Sequence, residues 1–258
     1  MPSRDIKIFF NLVIGDLKRR FSASALGIFW AVLGPLMSII IYWFVIEKGM
    51  KAHVTSEVPF FPWLASGIIF WNFVSDSLLT ASNSIVEYDF LVKKMVFKIE
   101  ILPVVKVVSS AIIHFVLMFF LIIVLSMAYQ IGISASMIQL PFYFVITSSL
   151  ILGFSFILST FTVFLRDTSN ILSIVLQFLF WLTPIAWNSK NLPEEFKGIV
   201  AWNPFSYLLE GYRDSLFSGD WIINKPPTYA VVTSLILIIH WIGYRFFMRS
   251  KKLFVDSI

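Results

Sequence analysis

The sequence predicts an all-α protein that crosses a membrane six times, and three observations lead to this prediction. The chain is 58% hydrophobic with only 14% charged residues, its mean hydropathy is +0.85, and several long tracts lack Asp, Glu, Lys and Arg. These tracts are Phe21–Ile46, Val58–Ser75, Val107–Leu165, Thr168–Ser189 and Pro226–Tyr244. A bilayer core about 30 Å thick takes about 20 apolar residues as a helix, and a charge at its centre costs about 3 kcal/mol.

The six spans follow from these tracts in chain order. The tract Val107–Leu165 is too long for one crossing, and it breaks around Gly132, Ser134, Ser136 and Pro141, which are turn-forming residue types. The predicted spans are Ile28–Ile46, Phe60–Thr80, Leu102–Tyr129, Pro141–Leu165, Asn170–Trp187 and Pro227–Phe247. Pro35 lies inside the first span and predicts a bend or an irregular start there, because proline lacks the backbone donor.

Three segments outside the spans are predicted to be helical. Residues 5–21 place Ile6, Phe9, Phe10, Val13, Leu17 and Phe21 on one stripe, which is typical of a basic amphipathic helix lying along a membrane surface. A simple positively charged anchor is the alternative. The inner connection, residues 87–98, mixes apolar and charged residues and predicts a short helix. The outer connection, residues 188–225, predicts two short re-entrant helices broken at Asn203-Pro204, covered by protein or by a water-filled cavity.

The distribution of basic residues predicts the orientation. Most of the 20 Lys and Arg residues lie on the side that holds the N-terminus, the inner connection, Arg166 and the C-terminal tail. Basic residues near helix ends stay cytoplasmic. Both termini are therefore expected inside, and no signal peptide is visible in the charged first twenty residues.

Nothing in the sequence indicates an active site, so the chain is not expected to be an enzyme. There is no cysteine, no GxxxxGK[ST] loop that would bind ATP, and no metal-ligand spacing among the three histidines. His114 and His240 lie within spans and are expected to be packing residues. Asp76 also lies within a span, where it either lines a pathway or is satisfied structurally. Lys106 is expected to extend to the cytoplasmic interface.

Aromatic residues make up 17% of the chain, more than interfacial belts account for. Aromatic faces stack on sugar rings, and they also fill gaps between helices or face lipid. The candidates for lining a channel are Tyr42, Phe70, Trp71, Phe73, Phe178 and Trp181. Helix packing remains the alternative for each of them.

Four segments carry a resemblance to a known family. They are DLKRRFSASALGIFWAVLGP from Asp16, EYDFLVKKMVFKIEILP from Glu87, the pair Arg166-Asp167, and WNPFSYLLEGYRDSLFSG from Trp202. In order and spacing the chain resembles the membrane subunit of an ABC-2 type exporter, in particular the permeases that export O-antigen, teichoic acid or capsule polysaccharide. The resemblance covers nearly the whole chain and implies one transmembrane domain over residues 1–258.

The resemblance implies partners and a place in the cell. The permease would form a homodimer in the bacterial inner membrane and pair with two copies of a separate P-loop ATPase, which would bind ATP and Mg²⁺. This chain would bind no cofactor, no metal and no nucleic acid. Its substrate would be a polysaccharide linked to undecaprenyl pyrophosphate, with O-antigen favoured. The helix that docks to the ATPase would hold Glu87, Tyr88, Asp89, Phe90, Lys93, Lys94, Phe97 and Lys98.

Two further groups of residues take roles from the resemblance. Leu26, Gly27 and Trp30 match the family's LG signature near the place where the lipid pyrophosphate is thought to enter. Lys18, Arg19 and Arg20 are suited to a pyrophosphate because charge-assisted hydrogen bonds to phosphate are strong, although a simple positive-inside cluster fits them equally. The outer gate would contain Trp202, Asn203, Pro204, Tyr207, Tyr212 and Arg213.

Three other functions were weighed against polysaccharide export. A small-molecule or lipid exporter of the same superfamily is the main alternative. A membrane-embedded glycosyl- or phosphotransferase would need acidic clusters at the membrane edge, and Glu194-Glu195 is the only adjacent acid pair. An ion-coupled transporter would need several buried ionisable residues, for which the sequence offers few candidates.

Overall fold

The computed structural model describes residues 2–22, 24–51, 58–93, 98–132, 134–189, 192–224 and 227–254. Within these ranges the chain forms eleven α-helices and no strand. The helices are α1 Pro2–Phe21, α2 Trp30–Trp43, α3 Phe60–Ser82, α4 Ser84–Glu87, α5 Asp89–Lys93, α6 Ile101–Ala128, α7 Leu140–Phe164, α8 Thr168–Leu182, α9 Glu194–Ala201, α10 Pro204–Arg213 and α11 Thr228–Ser250.

Among the residues that the structure describes, five helical runs are long and apolar enough to cross a membrane. They are Gly27–Gly49, Phe60–Ser82, Ile101–Ala128, Ala135–Phe164 and Tyr229–Leu253. Each lies within a few residues of a predicted span. The first begins with a 3₁₀ turn, Gly27–Phe29, which is the irregular start expected near Pro35, and it ends with a π-helical turn, Phe44–Gly49. The chain is thus an all-α polytopic membrane protein, as predicted.

The fifth predicted span is shorter than expected. It was predicted to end at Trp187, but α8 has 15 residues and ends at Leu182. A helix of that length reaches about 22 Å, less than the roughly 30 Å of a bilayer core. Residues 183–186 that follow are buried and not helical. The helix ends there because Pro184 has no N–H to donate and holds Thr183 in an extended conformation, and a side chain from α10, described below, binds the carbonyl groups that follow.

Helix α3 lies at the centre of the structure. It packs against α2, α6, α7, α8 and α10, and most of its residues are buried. Its burial follows from this central position, since it carries Asn72, Asp76 and Thr80 and is less apolar than the other long helical runs. By contrast, α11 packs chiefly on α7 and exposes apolar side chains along most of its length. That exposure suits a helix facing lipid.

The contact between α7 and α11 depends on two glycines. A Cβ atom on Gly243 would collide with the carbonyl of Gly153, and a Cβ atom on Gly153 would lie 2.8 Å from Cα of His240. Small residues let membrane helices approach this closely, and the dispersion contacts that result hold them together. His240 Nδ1 lies 3.0 Å from the Ser149 carbonyl, which confirms His240 as a packing residue.

We expect Gly243→Ala to destabilise the protein by about 1–3 kcal/mol, because the added methyl group forces α11 away from α7. The measurement is the temperature at which half of the detergent-solubilised protein still elutes as a single species. Gly15→Ala in α1 is the control, since nothing lies within 4 Å of a Cβ atom there. Equal melting temperatures for the two variants would contradict the packing argument.

Candidate functional site

The inner connection packs into a hydrophobic core at one end of the bundle, separate from the larger core around α3. This core contains Ile85, Tyr88, Val92, Ile99, Leu102, Phe156, Val163, Phe247 and Phe254. It joins the α4–α5 segment to α6, α7 and the C-terminal turn. Because Val92 is fully buried while Phe90 on the same helix is 61% exposed, α5 has one face fixed to the bundle and one face open.

The predicted docking residues therefore divide into two groups. Tyr88 is buried, and Glu87, although 41% exposed, directs its carboxylate to Lys106. Phe90 and Lys93 face outward, and the Lys93 ammonium lies 3.7 Å from Asp89 on the same turn. Lys94 and Phe97 lie outside the described residues. Lys98 is exposed. A single helix over residues 87–98 was predicted, but α4 ends at Glu87 and α5 begins at Asp89, because burial of Tyr88 bends the chain between them.

Tyr88 is the centre of the inward-facing group. The Arg19 guanidinium lies 4.4 Å from the centre of its ring and the Lys106 ammonium 5.3 Å, at distances where cations are attracted to an aromatic face. Burial, and secondarily the Asp16 carboxylate, raises the pKa of Tyr88 to about 12. The phenol is therefore neutral at physiological pH and acts as an aromatic support for the two cations.

A buried ion pair ties α1 to α6. The Lys106 ammonium lies 2.6 Å from Asp16 Oδ1, and the two side chains are 2% and 1% exposed. Lys106 also lies 2.5 Å from Glu87 Oε2. Lys106 was expected to extend to the cytoplasmic interface, and this expectation is wrong. The carboxylates of α1 and α4 satisfy the ammonium inside the protein, so it need not reach water.

Arg20 continues this network into the membrane-spanning part. Its Nε lies 2.9 Å from Asp16 Oδ2 and its Nη1 lies 2.7 Å from Asp76 Oδ2. Its Nη2 donates to Thr80 Oγ1 at 3.1 Å and to the Lys106 carbonyl at 3.4 Å. The Asp76 carboxylate also accepts from the Ser110 hydroxyl at 2.5 Å. One guanidinium thus joins α1, α3 and α6.

A cavity of about 420 Å³ opens beside the Arg20 guanidinium. It lies between α2, α3, α6 and the end of α1. Its walls carry polar groups toward the inner end and apolar groups farther along the helices. The lining residues are Arg20, Phe21, Trp30, Ala31, Pro35, Ile69, Asn72, Phe73, Asp76, Thr80, Ser110, Ile113, His114 and Leu117. The cavity is therefore amphipathic, and Arg20 is the one basic residue among the described residues that line it.

The predicted lipid-pyrophosphate residues do not all reach this cavity. Arg20 and Trp30 line it, whereas Lys18 and Leu26 are exposed and Arg19 lies against Tyr88. Gly27 has φ +52°, a conformation that costs other residues about 1–2 kcal/mol, and it turns the chain into α2. Asp76, Ser110 and Asn72 belong to the site but were not assigned to it from the sequence. The one signal for them was an acid inside a span.

Helix α1 has two apolar faces. Val13 is buried against the bundle together with Asp16, while Ile6, Phe10 and Ile14 are exposed at four-residue intervals. The predicted stripe had placed Ile6, Phe10 and Val13 on the same face. The buried face instead includes charged residues, because Lys106 and Asp76 supply partners for them. The exposed line remains available to a membrane surface.

The predicted channel aromatics also divide into two groups. Phe70, Trp71 and Phe73 are buried core residues of this chain. Phe70 packs edge-on against Tyr212 at 5.2 Å, and Phe73 lies 4.8 Å from the His114 ring, as a packing role for His114 predicts. Phe178 and Trp181 on α8 are exposed, and Tyr42 is half-buried beside Trp181. Of the predicted channel aromatics, the exposed ones therefore lie on α8.

The outer connection forms two helices, α9 and α10, separated at the predicted break. Asn203 caps α10 by accepting from the Phe205 N–H at 3.0 Å, and Pro204 occupies its first turn. The Tyr207 hydroxyl lies 3.0 Å from Thr233 Oγ1 on α11. Trp202, by contrast, is exposed. Helix α10 is therefore fixed to the bundle, and its preceding turn is open.

Arg213 at the end of α10 holds the irregular backbone after α8. Its guanidinium is buried and donates to the carbonyls of Pro184, Ile185 and Trp63 at 2.6, 2.8 and 3.2 Å. It also stacks on the Trp63 ring at 3.4 Å. The carbonyls of Pro184 and Ile185 would otherwise lack helical partners in an apolar setting, whereas the Trp63 carbonyl also accepts from the Ser66 hydroxyl at 2.8 Å. Gly67 leaves room for the guanidinium, because a Cβ atom there would lie 2.6 Å from Nη2.

The described residues contain no group of three His, Asp or Glu side chains that could hold a metal ion. The fold defines a polytopic membrane protein whose buried polar groups are paired at both ends of the helix bundle.

Comparison with known proteins identifies the family. The ABC-2 type transporter family matches residues 8–217, and the chain belongs to that family. Two relatives are O-antigen export system permease proteins RfbA of Klebsiella pneumoniae. One is 27% identical over 244 residues, which cover 94% of this chain and 92% of the relative. The other is 26% identical over 245 residues, which cover 94% of this chain and 92% of the relative. A Myxococcus xanthus protein of the same name is 26% identical over 253 residues, covering 97% and 95%.

We expect Lys106→Met to destabilise the protein by about 3–5 kcal/mol, because it leaves Asp16 buried with Arg20 as its one close cationic partner. The measurement is again thermal stability in detergent. The matched control is Lys93→Met, which removes an exposed ion pair with Asp89 that contributes about 0–1 kcal/mol. If the two variants lost the same stability, the buried network would not hold α1 in place.

Proposed function

We propose that this chain is the membrane-spanning permease subunit of an ABC exporter that moves an undecaprenyl-pyrophosphate-linked polysaccharide, O-antigen in the first instance, across the inner membrane. One observation carries the proposal: three O-antigen export permeases match the chain along more than nine-tenths of its length. The family assignment supports the class of transporter. The chain acts as a conduit subunit and not as an enzyme.

Energy comes from a separate P-loop ATPase, present in two copies and holding ATP and Mg²⁺, while this chain binds no cofactor. The open face of α5 supports a docking role, since exposed Phe90 projects from a helix whose opposite face is fixed by buried Val92. An exposed aromatic residue on a supported helix is a typical anchor for a partner's pocket. Lys94, Phe97 and Lys98 complete the same segment.

Two copies of the chain form the conduit. Helices α2 and α8 expose apolar side chains, including Met37 and Ile174, and we propose that they face the second copy. Tyr42, Phe178 and Trp181 then line the passage, and buried Phe70, Trp71 and Phe73 support it from behind. Helices α9 and α10 form the outer gate, with Tyr212 and Arg213 holding it to α3.

The orientation places both termini in the cytoplasm, so that α1 and α5 meet the ATPase. Closure of the ATPase on ATP moves α5. The contacts from Glu87 to Lys106, and from there to Asp16, carry that movement to α1 and α6, and the copies part along α2 and α8. Nucleotide shifts the equilibrium only through its different affinity for the two arrangements.

Deletion of the gene in its host is the direct test. We expect surface polysaccharide to disappear and lipid-linked glycan to accumulate at the inner leaflet. The wild-type gene restores export, whereas Phe90→Asp does not, because a charge in place of the exposed ring weakens docking to the ATPase by about 2 kcal/mol or more. The readouts are surface glycan by immunoblot and ATPase recovered with the tagged permease.

Ile223→Asp is the matched control for this test. It places the same charge at an exposed apolar residue on the opposite end of the molecule, and export and ATPase recovery should remain normal. Normal glycan at the cell surface after gene deletion would refute polysaccharide export. Unchanged ATPase recovery with Phe90→Asp would refute only the docking assignment.

The pairing of two copies can be tested by disulfide formation, since the chain has no cysteine of its own. We expect a chain with Met37→Cys to cross-link to a differently tagged chain with Ile174→Cys, because α2 of one copy is placed against α8 of the other. The measurement is a heterodimer band on a non-reducing gel. Met37→Cys combined with Val231→Cys on α11 is the control and should stay monomeric. The reverse pattern would place the interface on α11.

A further inference from the structure

The cavity beside Arg20 contains an anion-binding group that is already occupied. A lone arginine at the inner end of an amphipathic cavity would attract anionic headgroups, because a guanidinium binds phosphate through two parallel hydrogen bonds. In this structure, the Asp76 carboxylate takes that position, 2.7 Å from Arg20 Nη1. The charge on Arg20 is therefore compensated from within the protein.

The two carboxylates that bind Arg20 differ in how firmly they are held. Asp16 is 1% exposed and is bound by Lys106 as well as by Arg20. Asp76 is 44% exposed, has one cationic partner within ion-pair distance, and is otherwise held by the Ser110 hydroxyl. Asp16 cannot leave without stranding a buried cation. Asp76 can rotate toward solvent at much lower cost, so it is the exchangeable ligand of Arg20.

We propose that Asp76 is a specificity-determining residue that acts as an internal competitor for Arg20, so that the cavity admits a lipid carrying a multiply charged phosphate group and excludes ordinary phospholipids. The inference rests on the proposed function and identifies how its lipid-access site chooses a headgroup. A phosphodiester offers one negative charge and displaces Asp76 poorly. A diphosphate offers more charge and more acceptor oxygens for Arg20, Thr80 and Ser110.

The competition between Asp76 and the ligand sets a minimum affinity that a headgroup needs in order to occupy the cavity. Every anionic ligand must first break the Arg20–Asp76 ion pair, so all affinities fall by the same factor. The inner leaflet is rich in weakly binding headgroups, and this reduction is enough to keep them out. A tightly binding headgroup still enters. Because the penalty is the same for every anionic ligand, it leaves the ratio of their affinities unchanged and acts by lowering the occupancy of the cavity by the weak ones.

The remaining walls of the cavity suit a hydrocarbon chain attached to that headgroup. Trp30, Ile69, Phe73 and Leu117 supply apolar surface beyond the polar end. Asn72 also lines the cavity, although its Nδ2 atom is itself buried and has no hydrogen-bond partner among the described residues.

The test uses the purified full-length chain in nanodiscs of phosphatidylcholine, with farnesyl diphosphate as the probe. We expect Asp76→Asn to bind the probe about tenfold more tightly than wild type, which corresponds to about 1.4 kcal/mol. Inorganic pyrophosphate should bind more weakly than farnesyl diphosphate to both proteins, because it lacks the apolar chain. Equal binding of the two probes would assign the site to a free phosphate and overturn the lipid assignment.

A second arm measures exclusion directly. Phosphatidylglycerol added to the nanodiscs should inhibit probe binding to Asp76→Asn and leave binding to wild type nearly unchanged. Glu100→Gln is the matched control, because it removes one acidic charge from an ion pair with Lys251 that lies away from the cavity. It should behave as wild type in both arms, and thermal stability of each variant confirms folding.

The outcomes separate this proposal from the function on which it rests. If Arg20→Gln removes probe binding but Asp76→Asn binds the probe no better than wild type, or less well, Asp76 is only a structural partner and the competitor role is overturned. If Arg20→Gln leaves probe binding intact, the cavity is not the lipid-access site and this inference falls, whereas polysaccharide export is decided separately by the gene-deletion test. Ser110→Ala should give a smaller gain in affinity than Asp76→Asn, because it loosens Asp76 without removing its charge.

Discussion

The inner end of the structure depends on the buried ion pair between Lys106 and Asp16. Charges of this kind are stable in a protein interior only when they are paired and hydrogen-bonded. Here each of the two charges also binds a further side chain. Lys106 draws in Glu87 from α4, and Asp16 holds Arg20, which in turn reaches Asp76 on α3. Four helices are therefore positioned by one connected set of charges, and none of them could shift alone without leaving a charge unpaired.

Buried polar groups of the backbone at the outer end also need partners. Where α8 stops short, its following residues have carbonyl groups with no helical partners, and Arg213 supplies donors for two of them. Because one guanidinium also binds Trp63 on α3, the outer helix α10, the end of α8 and the central helix form one unit. The need to give buried polar groups a partner thus determines how the helices are arranged at both ends of the molecule. In the middle, apolar packing such as that at Gly153 and Gly243 determines how closely they approach.

The proposed function requires contacts that connect the surface on which the ATPase docks with the cavity that receives the substrate. The open face of α5 lies one helix turn from Glu87, and Glu87 is part of the network that ends at Asp76 in the cavity wall. Movement imposed on α5 from outside would therefore alter the very groups that bind Arg20. In the proposed exporter, docking of the ATPase and access of the lipid headgroup are mechanically and electrostatically connected through five side chains.

The sequence by itself determined the all-α class, the approximate position of each long span and the break at Asn203-Pro204, because uncharged tracts and turn residues act locally and leave a direct imprint on the chain. It indicated Asp76 as unusual without revealing its partner. The tertiary structure alone decided that Lys106 is buried, that the carbonyls after α8 bind Arg213, that Phe70 and Phe73 are core residues and that Arg20 faces the cavity while Arg19 does not. Each of these outcomes depends on groups far apart in the chain, such as Asp16 with Lys106 or Arg213 with Pro184, and the strength of such contacts is set by burial, which no local pattern encodes.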